Sequence, residues 1–441
     1  MIISLSFLHF FVSKKTIACH HLRRVVLKTD YLRWLKLPGI IANIPVIYWA
    51  LLGIILSYFL FFVWPVFLNQ QQEMQFPSYI PVMNPIGTDS RMMVIFAKKW
   101  FLEHQSLYGG VCATPISILF FAPLMYLSDS QAYYIMAVII VLVYLFNSLI
   151  FPALFVRTRT LSPLVVLISV VGLFSFGLQF EIERGQFYSI AMFFCCMAVY
   201  LYQKNKYVFL SYILLSIAIQ LKLSPAVFLA MYALCDNKRK GIINILLLLL
   251  VNVMLLMVFG WGHFKLYVLG IAGRLVSPYI TIYNHSIRDF LFYFSKKYPG
   301  MTEYAGFIEL VFMIVFVLLT LLVICSFYWV RQDWIRYYLF FICVIGMMTI
   351  PAESFDYNLA ILSAPVAIFL CYIEKYTSDL FHKFVALGIS FCYGMTLFSF
   401  TNKDPILKNN FPVLIAMLVL LYISFIVVLL YGRKKLLYDE S

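Results

Sequence analysis

The chain has 441 residues, of which 63% are hydrophobic, 18% aromatic and only 12% charged. A soluble domain cannot hide that much apolar surface, whereas repeated runs of about 20 apolar residues are what a bilayer requires. The net charge of +14 does not point to nucleic acid, because the basic residues sit in short loops flanking apolar runs, where they act as topology signals.

At the N-terminus, Met1–Val12 is apolar but short, with no basic residue before it and no small-residue cleavage site after it, a poor fit to a signal peptide. Lys14, Lys15, Arg23, Arg24, Lys28, Arg33 and Lys36 follow, so residues 1–40 read as a basic cytoplasmic arm. Cys19-His20-His21 within it reads as incidental, and the nine cysteines show no metal spacing and behave as small hydrophobes. Apolar runs then recur at Ile41–Leu68, Gln131–Val156, Leu161–Phe180, Phe187–Gln203, Tyr207–Leu221 and Ser224–Leu234. They continue at Gly241–Gly260, Gly306–Val330, Trp334–Ile350, Leu359–Glu374, Leu380–Phe400 and Phe411–Tyr431. The expectation is an all-α polytopic membrane protein of about twelve transmembrane helices. One membrane domain covers residues 41–432, with long outer loops at 69–130 and 261–305 and a cytoplasmic tail at 433–441. With both termini cytoplasmic, Arg157/Arg159, Lys204/Lys206, Lys238-Arg239-Lys240, Arg331/Arg336, Lys375/Lys383 and Arg433-Lys434-Lys435 all fall inside, as the positive-inside rule asks.

The polar clusters fall on the other side. Asp89, in Gly87-Thr-Asp-Ser, precedes an amphipathic helical stretch, Ser90–Glu103, with Met93, Phe96, Ala97, Trp100 and Phe101 on one face. Its carboxylate reads either as a helix cap or as a general base at the mouth of a membrane-level chamber. Ile116–Leu127, broken by Pro123, is too short to cross and reads as interfacial or re-entrant. Arg184, in Glu181-Ile-Glu-Arg-Gly-Gln186, can pair locally with Glu181 or Glu183 or meet a ligand, while Gln186 offers both donor and acceptor to a sugar or phosphate. The two short runs around Lys222-Leu-Ser-Pro225 each fall short of a ~30 Å core, which puts Lys222 at a cavity floor, where an ammonium calls for an anionic ligand or a distant carboxylate. Tyr279, Asn284, His285, Arg288 and Asp289 form an outer polar patch, and Glu353 and Asp356 open onto the same face. Those carboxylates either pair with Arg184, Lys222 or Arg288 or bind substrate. HxxE and HExxH patterns are absent, so a catalytic zinc is disfavoured, and no metal or other cofactor is expected. GxGxxG and P-loop patterns are absent too, which argues against nucleotide use.

From about Thr88 to Pro365 the chain resembles glycosyltransferase family 87, a family of GT-C fold that includes polyprenyl-phosphate-mannose-dependent mannosyltransferases. The resemblance is carried by Asp89, Leu107-Tyr108, Thr114-Pro115, Ala122-Pro123-Leu124, Arg184-Gly185-Gln186, Lys222-x-x-Pro225, Lys238-Arg239-Lys240 and Asn284-x-Ser286. The chain departs from the family's pattern at Gln105-Ser106 and at Phe355-Asp-Tyr-Asn358. The resemblance implies a GT-C-like bundle and an inverting transferase with Asp89 as its base. It would move a hexose, mannose-like, from a polyprenyl-phosphate donor to a lipid or glycan acceptor on the outer face. Arg184, Lys222 and Arg288 would then hold the donor phosphate, and Gln186, Asn284, His285, Glu353 and Asp356 the sugar or acceptor. The expected location is a cell membrane of the bacterial inner-membrane kind, with no nucleic-acid partner. A lipid-linked-sugar flippase is the first rival, but it needs polar groups along the whole path, and here they gather at one face. A polysaccharide polymerase or ligase, resting on loop arginines and histidines rather than Asp89, is the second, and a purely structural membrane protein the third.

Overall fold

The computed structural model describes residues 44–64, 76–77, 80, 82, 84–104, 113–157, 161–235, 237–276, 283–330, 334–351, 353–376, 380–401 and 410–438. The chain divides into two units, Met1–Ile44 and Pro45–Ser441, and every described residue except Ile44 belongs to the second. The basic arm, Gln105–Tyr108, Arg159, Tyr279 and the last three residues of the tail lie outside the described residues.

Among the described residues the regular structure is helical, apart from a two-residue antiparallel pairing of Phe76–Pro77 with Phe400–Thr401 and an isolated bridge between Asn284 and Phe355. The principal helices are α1 (Val46–Tyr58), α2 (Thr88–Phe101), α3 (Pro115–Phe121), α4 (Asp129–Leu145), α5 (Pro163–Leu173), α6 (Phe176–Arg184), α7 (Tyr188–Gln203) and α8 (Val208–Leu221). They continue with α9 (Lys238–Leu256), α10 (Trp261–Val276), α11 (Ile287–Lys297), α12 (Thr302–Val330), α13 (Trp334–Thr349), α14 (Ser363–Tyr376), α15 (Leu380–Thr396) and α16 (Phe411–Tyr438). Their starts follow local sequence. Ser128 and Gln131 close a capping box on α4, Thr114 and Ser162 cap α3 and α5 ahead of a proline, and Ser286 caps α11. Each side-chain oxygen takes a backbone N–H that the helix itself leaves unpaired.

Asp129–Val156, Lys238–Leu256, Pro299–Tyr328 and Asp356–Lys375 are long and apolar enough to cross a membrane, and a fifth candidate arises if α5 and α6, bent by 53°, count as one span. Six further helices among the described residues are apolar but shorter. The chain is a membrane protein. Its α9 and α12 present broad apolar faces, with Ile242, Leu246, Leu250, Phe307, Leu310 and Leu318 all exposed, as lipid contact requires. The Asp356–Lys375 span is instead buried from Asp356 to Ile373 and, with α13, forms the centre of the bundle.

Several expected boundaries move. The run Leu161–Phe180 breaks at Phe174, where Ser175 Oγ donates to Gly172 O (2.7 Å) and accepts from Leu178 N, ending one helix and starting the next. Glu181–Arg184 is therefore the last turn of α6 rather than a loop. Ser224–Leu234 is not one helix: a 3-10 turn at Ser224–Phe228, with Pro225 in its first turn, leads into the short helical piece Leu229–Tyr232. Ile116–Leu127 is likewise split, into α3 and a 3-10 turn at Ala122–Tyr126. The stretch 261–305, expected as a loop, is mostly helical among its described residues, holding α10 and α11.

Candidate active site

Two tight turns make the site. Gly87, at φ 74°, precedes α2, and Gly185, at φ 64°, ends α6. Left-handed backbone of this kind suits glycine because it lacks a Cβ. The turns dock directly: Gly87 N donates to Glu183 O at 2.9 Å, and a Cβ on Gly185 would press on Ser90 and sit 3.3 Å from Gly87 Cα.

This docking brings Asp89 to Arg184 and Gln186. Asp89 Oδ2 accepts from Arg184 Nε at 3.1 Å and from Gln186 Nε2 at 2.7 Å. Asp89 is not a helix cap, since the capping position belongs to Gly87 and carries no side-chain bond. Arg184 bridges to a carboxylate 95 positions away rather than to Glu181. That residue, fully buried, accepts instead from Ser189 N at 2.6 Å and Ser189 Oγ at 2.5 Å, holding the first turn of α7. The side chains of Asp89 and Arg184 keep 21% and 25% of their surface exposed, so the carboxylate is tethered yet reachable.

Lys222 completes the chain of contacts. It follows the last residue of α8 in extended conformation, and its Nζ donates to Gln186 Oε1 at 2.7 Å. The ammonium also lies 4.5 Å from the centre of the Phe187 ring and within 6 Å of Tyr188 and Tyr357, a distance at which cation–π attraction operates. Tyr188 OH and Ser224 Oγ share a short hydrogen bond that ties the break after Lys222 to α7.

Beside Lys222 lies a cavity of about 300 Å3 whose lining includes Met93, Thr114, Phe187, Lys222, Tyr267 and Glu353. Tyr267 comes from α10, which is anchored at its start. Trp100 stacks on Phe259 at 4.4 Å and meets the His263 ring edge-on, while His263 Nε2 donates to Ala113 O at 3.2 Å. Burial holds the His263 imidazole below its usual pKa, and the bond to Ala113 O only partly offsets this.

The other expected site residues, Glu353 excepted, lie apart from this cluster. Asn284, His285 and Asp356 are fully buried. His285 Nδ1 contacts Asp356 Oδ1 at 2.9 Å, its Nε2 contacts Ser354 Oγ at 3.1 Å, and Asp356 Oδ2 accepts from Asn410 Nδ2 at 2.9 Å and from Ser399 Oγ. Asn284 Oδ1 accepts from the backbone N–H groups of Ser286 and Ser354. The Glu353–Asn358 segment thus does not open outward as a unit: Glu353 reaches the cavity, whereas Asp356 begins a buried 3-10 turn that runs to Leu362. Arg288 pairs with Glu309 of α12 at 3.4 Å and is not among the cavity-lining residues. Among the described residues, no three His, Cys, Asp or Glu side chains converge in a way that could hold a metal ion.

Sequence reasoning missed Glu181 as a brace, and it missed Thr114, Ser117, Gln220 and Tyr267 as cavity lining. Gln220 carried a signal: a polar side chain inside an apolar run rarely lacks a purpose.

The sequence profile of glycosyltransferase family 87 matches residues 114–351, just over half of the chain. The chain belongs to glycosyltransferase family 87. No curated protein matches it. The family 87 match takes in Arg184, Gln186, Lys222 and Arg288, whereas Asp89, Glu353 and Asp356 lie outside its limits. Membership makes the chain a glycosyltransferase, consistent with the GT-C type.

Proposed function

We propose that this family 87 protein transfers a hexose, mannose-like, from a polyprenyl-phosphate donor to a lipid or glycan acceptor on the outer face of a cell membrane, with inversion. One observation carries the reading: Asp89 Oδ2 is held by Arg184 and Gln186, and Gln186 in turn by Lys222, which lines a cavity. In this reading the acceptor hydroxyl attacks the anomeric carbon from the side opposite the phosphate. The bond from that carbon to the acceptor oxygen forms as its bond to the phosphate oxygen breaks. Asp89 takes the hydroxyl proton, and polyprenyl phosphate departs as an anion. A carboxylate is a weak base toward an alcohol, so proton transfer accompanies attack. With Oδ2 engaged by two donors, Oδ1 is the oxygen left to accept. Lys222 faces the charge that develops on the departing phosphate, where a preset cation contributes most to rate. Arg184 orients Asp89 and can offer its remaining N–H groups to the same phosphate. Gln186 and Glu353 face the reacting sugar or its acceptor. Arg288 belongs to an ion pair in this reading, and Asn284, His285 and Asp356 brace the loops behind the site.

The same reading includes a single membrane domain over residues 41–432, about twelve passes, cytoplasmic termini and a re-entrant α3. The order of charged helix ends supports it. The chain goes from Asp129 to Arg157, back to Arg184, across again to Lys204 on the side of Arg157, and back to Lys222, so basic helix ends alternate with site residues. The 14-residue α8 reaches about 21 Å at 1.5 Å per residue, short of a ~30 Å core, which leaves Lys222 below the outer surface. The test is transfer itself. Membranes carrying the protein are given farnesyl phosphate mannose, labelled in the sugar, and lipid extract. Incorporation of label into lipid or glycan with release of farnesyl phosphate is expected. Absence of transfer from mannosyl, glucosyl and galactosyl donors alike would remove the lipid-phosphate donor from the account.

A further inference from the structure

On the cavity wall provided by α3 and the end of α8 lie Thr114, Ser117 and Gln220, which neither the family match nor the catalytic reading assigns. Their protons are already committed. Ser117 Oγ donates to Thr114 O at 2.8 Å. Thr114 Oγ1 has one proton and two acceptors in reach, Gln220 O at 2.6 Å and Ser117 Oγ at 3.0 Å, and the shorter contact takes it. Gln220 Nε2 donates to the backbone oxygen and to Oδ1 of Asn252, both at 3.1 Å. The backbone carbonyl cannot donate, which fixes the orientation of the Gln220 amide.

Acceptors are what remain. Gln220 Oε1 is buried without a hydrogen-bond partner among the described residues, and the lone pairs of Ser117 Oγ are left open once Thr114 bonds to Gln220 O. A buried amide oxygen without a donor is costly unless a ligand supplies one. A wall of neutral acceptors suits hydroxyl groups that arrive as donors and repels carboxylate oxygens. Lys222 and Glu353 line the same cavity, so a phosphate gripped by Lys222 leaves the group attached to it against this wall.

We propose that Thr114, Ser117 and Gln220 form the subsite that recognises the hydroxyls of the transferred sugar, selecting a neutral hexosyl group over a hexuronosyl group. The proposal rests on the lipid-phosphate donor reading of the site. It is tested by dissociation constants of the purified full chain in detergent for farnesyl phosphate and for its mannosyl, glucosyl, galactosyl and glucuronosyl esters. The best neutral sugar should tighten binding over bare farnesyl phosphate, and glucuronosyl should not. Ser117→Ala and Gln220→Met should each weaken the neutral-sugar ligand by about 2- to 10-fold, the range of one ordinary hydrogen bond, with farnesyl phosphate unaffected. A purely structural role would weaken both ligands together. Ser117→Ala, which removes only a hydroxyl, carries the test if Gln220→Met does not accumulate. Equal losses on both ligands, no loss on either, or a sugar that adds nothing in the unaltered protein would overturn the subsite alone. No binding of farnesyl phosphate would overturn the donor reading and the subsite with it.

Discussion

Gly185 is the residue on which the site's assembly turns, because Arg184 and Gln186 reach Asp89 from either side of it. Its φ of 64° strains any other residue by about 1–3 kcal/mol, and an added Cβ meets Ser90. Gly185→Ala should therefore lower turnover with the protein still folded, and Ser90→Ala in the same chain should restore part of it. Steady-state kinetics of the single and double variants check this coupling. Lys222→Met tests the phosphate grip: a lost charged hydrogen bond should reduce kcat/KM for donor by about 10- to 100-fold, and unchanged donor kinetics would reassign Lys222 to structure. His285→Ala should behave differently. It strips a hydrogen-bond partner from a carboxylate with no exposed surface, a change that costs about 1–3 kcal/mol. The expected result is a lowered melting temperature, with donor KM intact in whatever protein remains folded. At this scale the sequence was a good guide to residue identity and a poor guide to environment. Asp89, Arg184, Gln186 and Lys222 stand out as polar groups in an apolar chain. Nothing local told that His285 and Asp356 are buried together, because the two lie 71 positions apart and Asp356's other partners, Ser399 and Asn410, lie more than 40 positions beyond it.

Among the elements, α2 and α10 matter most to access. Met93 of α2 and Tyr267 of α10 line the cavity together, and the stack of Trp100 on Phe259 with the His263 bond to Ala113 fixes the start of α10. An offset aromatic pair contributes about 0.5–1.5 kcal/mol beyond the area it buries. Trp100→Ala should accordingly increase hydrogen exchange across α10 and raise donor KM more than it lowers kcat. Unchanged exchange in α10 would show that the stack does not hold it. The amphipathic pattern of α2 was legible, and Met93 and Ala97 are indeed buried while Arg91 and Lys99 face out. The kink before α6 was not, because Ser175 and Gly172 make it through a side-chain bond that hydropathy does not register. Helix α10 was read as loop for a related reason: its polar and basic residues dilute the apolar signal.

Over the whole molecule, the membrane class was plain from composition, since apolar runs exclude a soluble fold. The number of passes was not, because several helices of the bundle are shorter than a bilayer and are satisfied by protein neighbours instead. The buried Asp356–Lys375 span shows the reverse case, an apolar helix enclosed by others. Sidedness is testable directly: single cysteines at Lys296 and Lys240 in an otherwise cysteine-free chain should react with an impermeant maleimide from outside and only after permeabilisation, respectively. Reaction of the Lys240 position from outside would reverse the topology. The central claim is that the carboxylate linked through Gln186 to the cavity-lining Lys222 is the base for glycosyl transfer, and Asp89→Asn tests it most directly. The change keeps the shape and removes the proton acceptor. Assayed in membranes at matched protein levels, turnover should fall by roughly 10²–10⁴-fold while donor binding is retained; near-unaltered turnover would contradict the account.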